Sequence, residues 1–177
     1  QLYTCGYEEA WLSQNVSDEG QLVCTLRRKL IDRFNQQWEE RLTNNRFTTY
    51  LLFKKARYFE PYLDILDKQI FRESLTRFRF GISVIKLHKL RYSQTDSNLL
   101  CPMCIEEDED EIHFLLHCPV YNDLRKKYIL PNDVPPNNDT FVQLMNDSNS
   151  QNIWSLSLYI HHALKRRMNA EADVDIV

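Results

Sequence analysis

The stretch LCPMCIEEDEDEIHFLLHCPVYNDLR, residues 100–125, holds three of the chain's five cysteines and two of its five histidines. Two residues separate Cys101 from Cys104, and His113 and Cys118 follow after eight and four more. This C-x2-C-x8-H-x4-C pattern offers the four soft or borderline ligands that Zn²⁺ takes in a tetrahedron, two from a tight turn and two from a helix. The sequence therefore predicts one structural zinc ion, held in a knuckle that spans residues 101–118.

Two alternatives to this ligand set follow from the same residues. His117 adjoins Cys118 and is an alternative nitrogen ligand, although the spacing favours His113. The cysteines are also compatible with buried thiols or a redox C-x-x-C pair that binds no metal. Three closely spaced cysteines are unlike a secreted disulfide framework, which favours a reducing, intracellular compartment, nucleus or cytoplasm.

Charge is sorted by segment along the chain. The net charge of -3 over 177 residues does not indicate a nucleic-acid binder, because such domains usually carry a basic excess. Residues 71–92 nevertheless carry six cations against Glu73 alone, whereas residues 106–111 are acidic at every position. We interpret the acidic run as a solvated loop that repels phosphate, so a nucleic acid is expected to bind elsewhere.

Hydrophobic periodicity predicts an all-α protein with little or no β-sheet, stapled by the knuckle. Only three glycines occur, and no strong alternating pattern is present. Gly81 is predicted to end the helix over residues 70–80. The predicted helices cover residues 18–42, 47–58, 61–69, 70–80, 119–128 and 152–169.

Three regions follow from this pattern. Residues 1–92 form a helical region, residues 93–130 the knuckle and the helix after it, and residues 131–177 a proline-rich loop, a C-terminal helix and a frayed tail. No apolar run approaches the roughly 20 residues that span a bilayer, so we expect no membrane association. Nothing in the sequence indicates a small-molecule substrate.

The CPMC turn followed by EDEIHFLLHCPVYNDLRKKYI resembles the zinc-binding C-terminal region of reverse transcriptases from non-LTR retrotransposons. Upstream, LTRFRFGISVIKLHKLRY and FNQQWEERLTNNRFTTYLLFKKARYFEPYLDIL are similar to the segments that follow the polymerase in that family. FVQLMNDSNSQNIWSLSLYIHHALKRR is similar to the family's ending, so the resemblance covers most of the chain. It implies the same four zinc ligands, Cys101, Cys104, His113 and Cys118.

The resemblance also implies a role beside a polymerase, holding template RNA or target DNA during target-primed reverse transcription. The chain itself is not expected to be an enzyme, because it lacks the aromatic residue and paired aspartates of a polymerase hairpin. In residues 71–92 cations alternate with Phe71, Phe78, Phe80 and Tyr92, which suits phosphate contacts and stacking. The candidate nucleic-acid-binding residues are Arg72, Arg77, Arg79, Lys86, Lys89, Arg91, Arg125 and Lys126.

Two alternatives oppose this interpretation. The aromatic residues of 71–92 fit a hydrophobic core equally well, with the cations on a solvated face. The whole chain also fits a helical docking module that braces the polymerase domain or another partner, with a purely structural zinc ion, and the acidic net charge favours this second view.

Overall fold

A computed structural model describes residues 8–13, 18–43, 48–54, 58–92, 98–129 and 137–174 of the chain. These residues form helices and connecting turns, and no strand occurs among them. Their single isolated β-bridge is antiparallel, between Leu100 and Asp108. The all-α prediction is therefore confirmed.

The helices differ widely in length. The α-helices are α1 (Glu8–Ser13), α2 (Glu19–Thr43), α3 (Thr48–Phe53), α4 (Tyr62–Ile65), α5 (Gln69–Arg79), α6 (Lys86–Tyr92), α7 (Asn122–Tyr128), α8 (Asn138–Asn146) and α9 (Ser150–Val174). A π-helical turn (His113–His117) and a 3-10 turn (Pro119–Tyr121) precede α7.

The chain divides into two compact units, residues 1–45 and residues 46–177. The first contains α1 and α2. The predicted helix over 18–42 is confirmed as α2, which begins after Asp18, whose carboxylate accepts the Gln21 backbone N–H at 2.9 Å. Such a cap satisfies one of the amide groups that the first turn of a helix leaves unpaired.

The core of the second unit forms where α9 packs against α5 and α7. Leu75 and Phe78 of α5 are buried, as are Tyr159 and Ile160 of α9. The Phe114 ring lies 5.5 Å from the Phe78 ring and 6.3 Å from the Tyr159 ring, so segments from all three predicted regions share one core. The division of the chain at residues 92 and 130 stays a prediction.

Several helix boundaries differ from those predicted. α3 ends at Phe53, residues 55–57 of the predicted 47–58 helix lie outside the described residues, and residues 58–60 are not helical. Leu66 and Lys68 are extended and separate α4 from α5, so the predicted 61–69 helix is wrong beyond Ile65. α9 continues to Val174, which makes the prediction of a frayed tail wrong over its helical part.

Gly81 ends α5 as predicted, with φ +68°. The Ile82 N–H donates to the Arg77 carbonyl at 2.9 Å and the Gly81 N–H to the Phe78 carbonyl at 3.1 Å. A left-handed residue at this position lets two carbonyl groups of the last turn find partners, and glycine adopts that conformation without a steric penalty.

α6 and α8 were not predicted from the sequence. The first amide of α6, Lys86 N–H, donates to the Glu109 carboxylate at 2.8 Å. Asn137 caps α8 by accepting the Thr140 N–H at 2.9 Å. Residues 130–136 of the proline-rich loop before α8 lie outside the described part of the chain. Because the first amide of α6 depends on a carboxylate 23 positions away, no local sequence signal marks the start of that helix.

Candidate metal centre

The side chains of Cys101, Cys104, His113 and Cys118 converge on one point. One ligand atom from each lies within 4.8 Å of the others. The Cys101 and Cys118 sulfur atoms are 4.0 Å apart, and the Cys104 sulfur is 3.4 Å from His113 Nε2. Sulfur atoms at about 2.3 Å from a tetrahedral zinc ion lie about 3.8 Å apart. The cluster is therefore compatible with a single metal ion.

A short hairpin holds the first ligand pair. The Cys101 N–H donates to the Glu107 carbonyl and the Glu109 N–H to the Leu99 carbonyl, each at 2.7 Å. Between them the chain turns, and the Ile105 N–H donates back to the Cys101 carbonyl at 2.9 Å. Ile105 has φ +60°, a conformation that is costly for a β-branched residue. The hairpin thus presents both thiols to one side.

The second ligand pair lies on a π-helical turn, not on the ordinary helix that the H-x4-C spacing predicts. The Cys118 N–H donates to the His113 carbonyl at 2.8 Å, five residues back. In an α-helix, residues five apart point roughly 140° away from each other. The wider π turn brings His113 and Cys118 to the same side, and such turns are frequent at functional sites.

The ring of His113 is oriented by a carboxylate. Its Nδ1 atom is 3.0 Å from Glu107 Oε2, and its Nε2 atom faces the cysteines. Hydrogen bonding with Cys101 and then with Glu107 raises the pKa of His113 to about 9. Carboxylates that hydrogen-bond the ring nitrogen facing away from the metal orient metal-binding histidines in this way. His117 is exposed and lies outside the cluster, so the geometry selects His113.

The buried thiols share their protons unequally. A hydrogen bond from Cys118 lowers the pKa of Cys101, whereas the same contact and burial raise the pKa of Cys118. A soft cation that replaced the shared protons would receive three thiolates and one imidazole, a donor set without an open position.

The acidic run is not wholly a solvated loop, so that prediction is wrong for Glu109 and Glu111. Glu109 is 0% and Glu111 4% exposed. The Glu109 carboxylate accepts a hydrogen bond from Arg167 Nε at 2.9 Å. Glu111 lies 2.8 Å from an Arg91 nitrogen and 3.1 Å from His88 Nε2. Buried charges of this kind persist because they are paired and hydrogen-bonded.

Glu111 and His88 form a buried polar network with Arg91 and Thr49. Burial alone would raise the pKa of the Glu111 carboxyl, but hydrogen bonds with His88 and Thr49 lower it to about 2. Burial lowers the pKa of His88, whose Nδ1 accepts a hydrogen bond from the Ser83 N–H at 3.1 Å. The network ties the segment after the hairpin to α3 and α6.

Two of the eight predicted nucleic-acid contacts are buried. Arg79 is 4% exposed, and its Nη2 atom lies 2.7 Å from Glu60 Oε2. Arg125 is also 4% exposed and donates to the Cys118 carbonyl, which places it behind the metal centre. A guanidinium that is held inside the protein cannot contact phosphate, so both leave the candidate surface, and we correct the prediction for these two residues.

The other six predicted cations are more accessible but spread over the second unit. Arg72 donates to the Leu63 and Leu66 carbonyl groups at 3.3 Å, and Arg91 pairs with the buried Glu111. The Arg77 side chain is 60% exposed and pairs with Glu73 one turn away. The remaining three are the half-buried Lys86 and the exposed Lys89 and Lys126.

The aromatic residues of the basic segment pack mostly within the protein. Phe78 is fully buried, the Phe71 ring packs edge-on against Trp154 at 5.8 Å, and the Phe80 ring stacks on Tyr50 at 4.7 Å. Tyr92 is 48% exposed. Three of the four predicted stacking residues therefore serve the core and its edge.

The sequence does not single out the buried partners Glu109, Glu111 and His88. The only available signal was the length of the acidic run, which exceeds what a linker between two ligand pairs needs. Which of its carboxylates turn inward depends on cations from α6 and α9, and these are distant in sequence.

Fold and site together define an all-α protein with a Cys3His cluster suited to one metal ion. No family model matches the chain, and neither does any curated protein or solved structure. No helix of the described residues is long and apolar enough to cross a membrane.

Proposed function

We propose that the cluster holds one structural Zn²⁺ ion and that the protein is an intracellular nucleic-acid-binding module. The observation that carries the proposal is the convergence of three cysteine sulfurs and one histidine nitrogen within 4.8 Å. Three thiolates and an imidazole suit zinc better than the oxygen-seeking magnesium or calcium. The same element carries the resemblance to the C-terminal region of non-LTR retrotransposon reverse transcriptases.

In this proposal the module binds nucleic acid and catalyses no reaction itself. It would hold template RNA or target DNA beside the polymerase domain of a parent reverse transcriptase. Cationic side chains at the surface support it, because phosphate contacts provide most of the affinity for nucleic acids. These cations are the exposed Arg77, Lys89 and Lys126 and the half-buried Lys86.

The test has two steps. Metal analysis of the purified protein should give one zinc ion per chain. Binding of labelled single-stranded RNA and of duplex DNA is then measured across a salt series. Affinity that falls steeply with salt supports the proposal, because neutralised phosphates release counterions. No binding of either polymer at low salt would contradict it.

One observation favours a protein-docking module as the second candidate. A cavity of about 250 Å³ opens between α5, α9 and residues 82–84. Ile70, Ile82 and Met168 line it with 46% to 54% of their surfaces exposed. Exposed apolar side chains around a groove are typical of protein contacts. A docking surface of this type would bind a protein partner with little dependence on salt.

A further inference from the structure

A second cavity, of about 380 Å³, lies beside the metal centre and is lined by cationic side chains. Lys86 and Lys89 reach it from α6, one helical turn apart, and Arg167 reaches it from α9. Pro102 and Met103, the two residues between the first ligand pair, form another wall. Residues 106–108 of the acidic run do not line it. The cavity therefore combines three cations with a wall that belongs to the knuckle.

Arg167 is held rigidly in this cavity. Its side chain is fully buried, and Nε lies 2.9 Å and Nη2 3.4 Å from the two carboxylate oxygens of Glu109. Its remaining nitrogen, Nη1, is 3.0 Å from Glu171 Oε1 but is too poorly aligned for a hydrogen bond. The Nε and Nη2 edge of the guanidinium is thus anchored by Glu109, whereas Nη1 makes no well-aligned hydrogen bond.

Glu171 is the internal counter-charge of the cavity. Lys89 Nζ lies 2.7 and 2.9 Å from its two oxygens, and the carboxylate is 36% exposed. Its position in the last turn of α9 is unfavourable for an anion, because the carboxyl end of a helix carries partial negative charge. An anion of the same single charge that is not fixed at this helix end can therefore replace it.

We propose that this cavity binds a phosphate group of a nucleic-acid strand and that Glu171 occupies the position until the phosphate displaces it. The inference rests on the proposed nucleic-acid-binding function and assigns its main phosphate contact. The phosphate contacts the Lys86 and Lys89 ammonium groups. Arg167 is fully buried and paired with Glu109, so it anchors the wall of the cavity and makes no phosphate contact.

The experiment measures binding of labelled single-stranded RNA and of duplex DNA to the zinc-loaded full chain. The double variant Lys86→Ala, Lys89→Ala is compared with Lys127→Ala, Lys165→Ala, which removes the same charge from exposed positions of α7 and α9. We expect the first pair to weaken binding roughly tenfold at low salt. It should also reduce the salt slope on single strands by about 0.7, the contribution of the one phosphate contact that is lost. The second pair should have a clearly smaller effect.

Glu171→Gln tests the displacement directly. The variant should bind RNA several-fold more tightly than the wild type, whereas Asp123→Asn, which removes a surface carboxylate paired with Arg166, should not. Unchanged affinity in Glu171→Gln would overturn the role of Glu171. Equal effects of the two lysine pairs would overturn the cavity as the phosphate site while the wild-type protein still binds. Absence of wild-type binding would overturn both this inference and the proposed function.

Discussion

Arg167 and Glu109 form an ion pair that lies wholly inside the protein, with neither side chain exposed and with Nε 2.9 Å from Oε1. The same Glu109 oxygen is 4.0 Å from the Cys101 sulfur, and the other accepts the first amide of α6. Burial raises the pKa of the Glu109 carboxyl, and hydrogen bonding with Arg167 opposes that rise. One carboxylate thus connects α6, α9 and the candidate metal centre.

Removing Arg167 should be strongly destabilising, because it leaves the Glu109 charge buried without a partner. We expect Arg167→Ala to lower the free energy of unfolding by about 3–5 kcal/mol. Arg166→Ala is the matched control. Arg166 pairs with Asp123 at 2.7 Å on the surface, where both side chains are at least 36% exposed, and such pairs contribute about 1 kcal/mol or less. Urea unfolding of both zinc-loaded variants measures the difference, and equal losses would contradict the assignment.

The proposed zinc site predicts different outcomes for two neighbouring histidines. His113→Asn should reduce zinc content well below one ion per chain and lower the melting temperature, because metal binding contributes directly to folding. His117→Asn should keep one zinc ion and the wild-type melting temperature, since His117 is exposed and outside the cluster. Metal analysis and thermal unfolding check both. The reverse pattern would show that His117 is the ligand.

Glu107 should tune the metal affinity without being a ligand. Its carboxylate lies 3.0 Å from His113 Nδ1. Loss of such a contact usually costs 10–100-fold in affinity, and we expect about tenfold for Glu107→Gln because the Glu107 side chain is 62% exposed. Glu106→Gln removes an adjacent exposed carboxylate and should have little effect. Competition with a chelator of known zinc affinity gives both values, and identical affinities would argue against an orienting role.

Ile105 should be replaceable with a gain in stability. It is 71% exposed, so little apolar contact is lost, and its φ of +60° is unfavourable for a β-branched side chain. Asparagine tolerates this conformation, and Ile105→Asn should raise the free energy of unfolding by roughly 0.5–1 kcal/mol. Ile82→Asn, at an exposed position without positive φ, should give no gain. Chemical denaturation distinguishes the two, and a loss in Ile105→Asn would contradict the strain.

Local pattern predicted much of the fold. The four-residue spacing of leucines and aromatics identified α2, and the apolar stripe of residues 152–169 identified most of α9, because helix periodicity depends only on residues that are near in sequence. Gly81 marked the end of α5 for the same reason. α6 was not predicted, because its first amide donates to Glu109 of the hairpin, which is distant in sequence.

The sequence by itself determined the all-α class and the candidate ligand set, because spacing and residue type specify both. Only the tertiary structure decided between His113 and His117, since the π turn and Glu107 orient one ring inward and leave the other outside. The tertiary structure also decided which charged side chains are buried. Arg79, Arg125 and Arg167 look like surface cations in the sequence, yet each is buried. Their partners lie on other segments, and burying a charge is affordable only where folding brings such a partner to it.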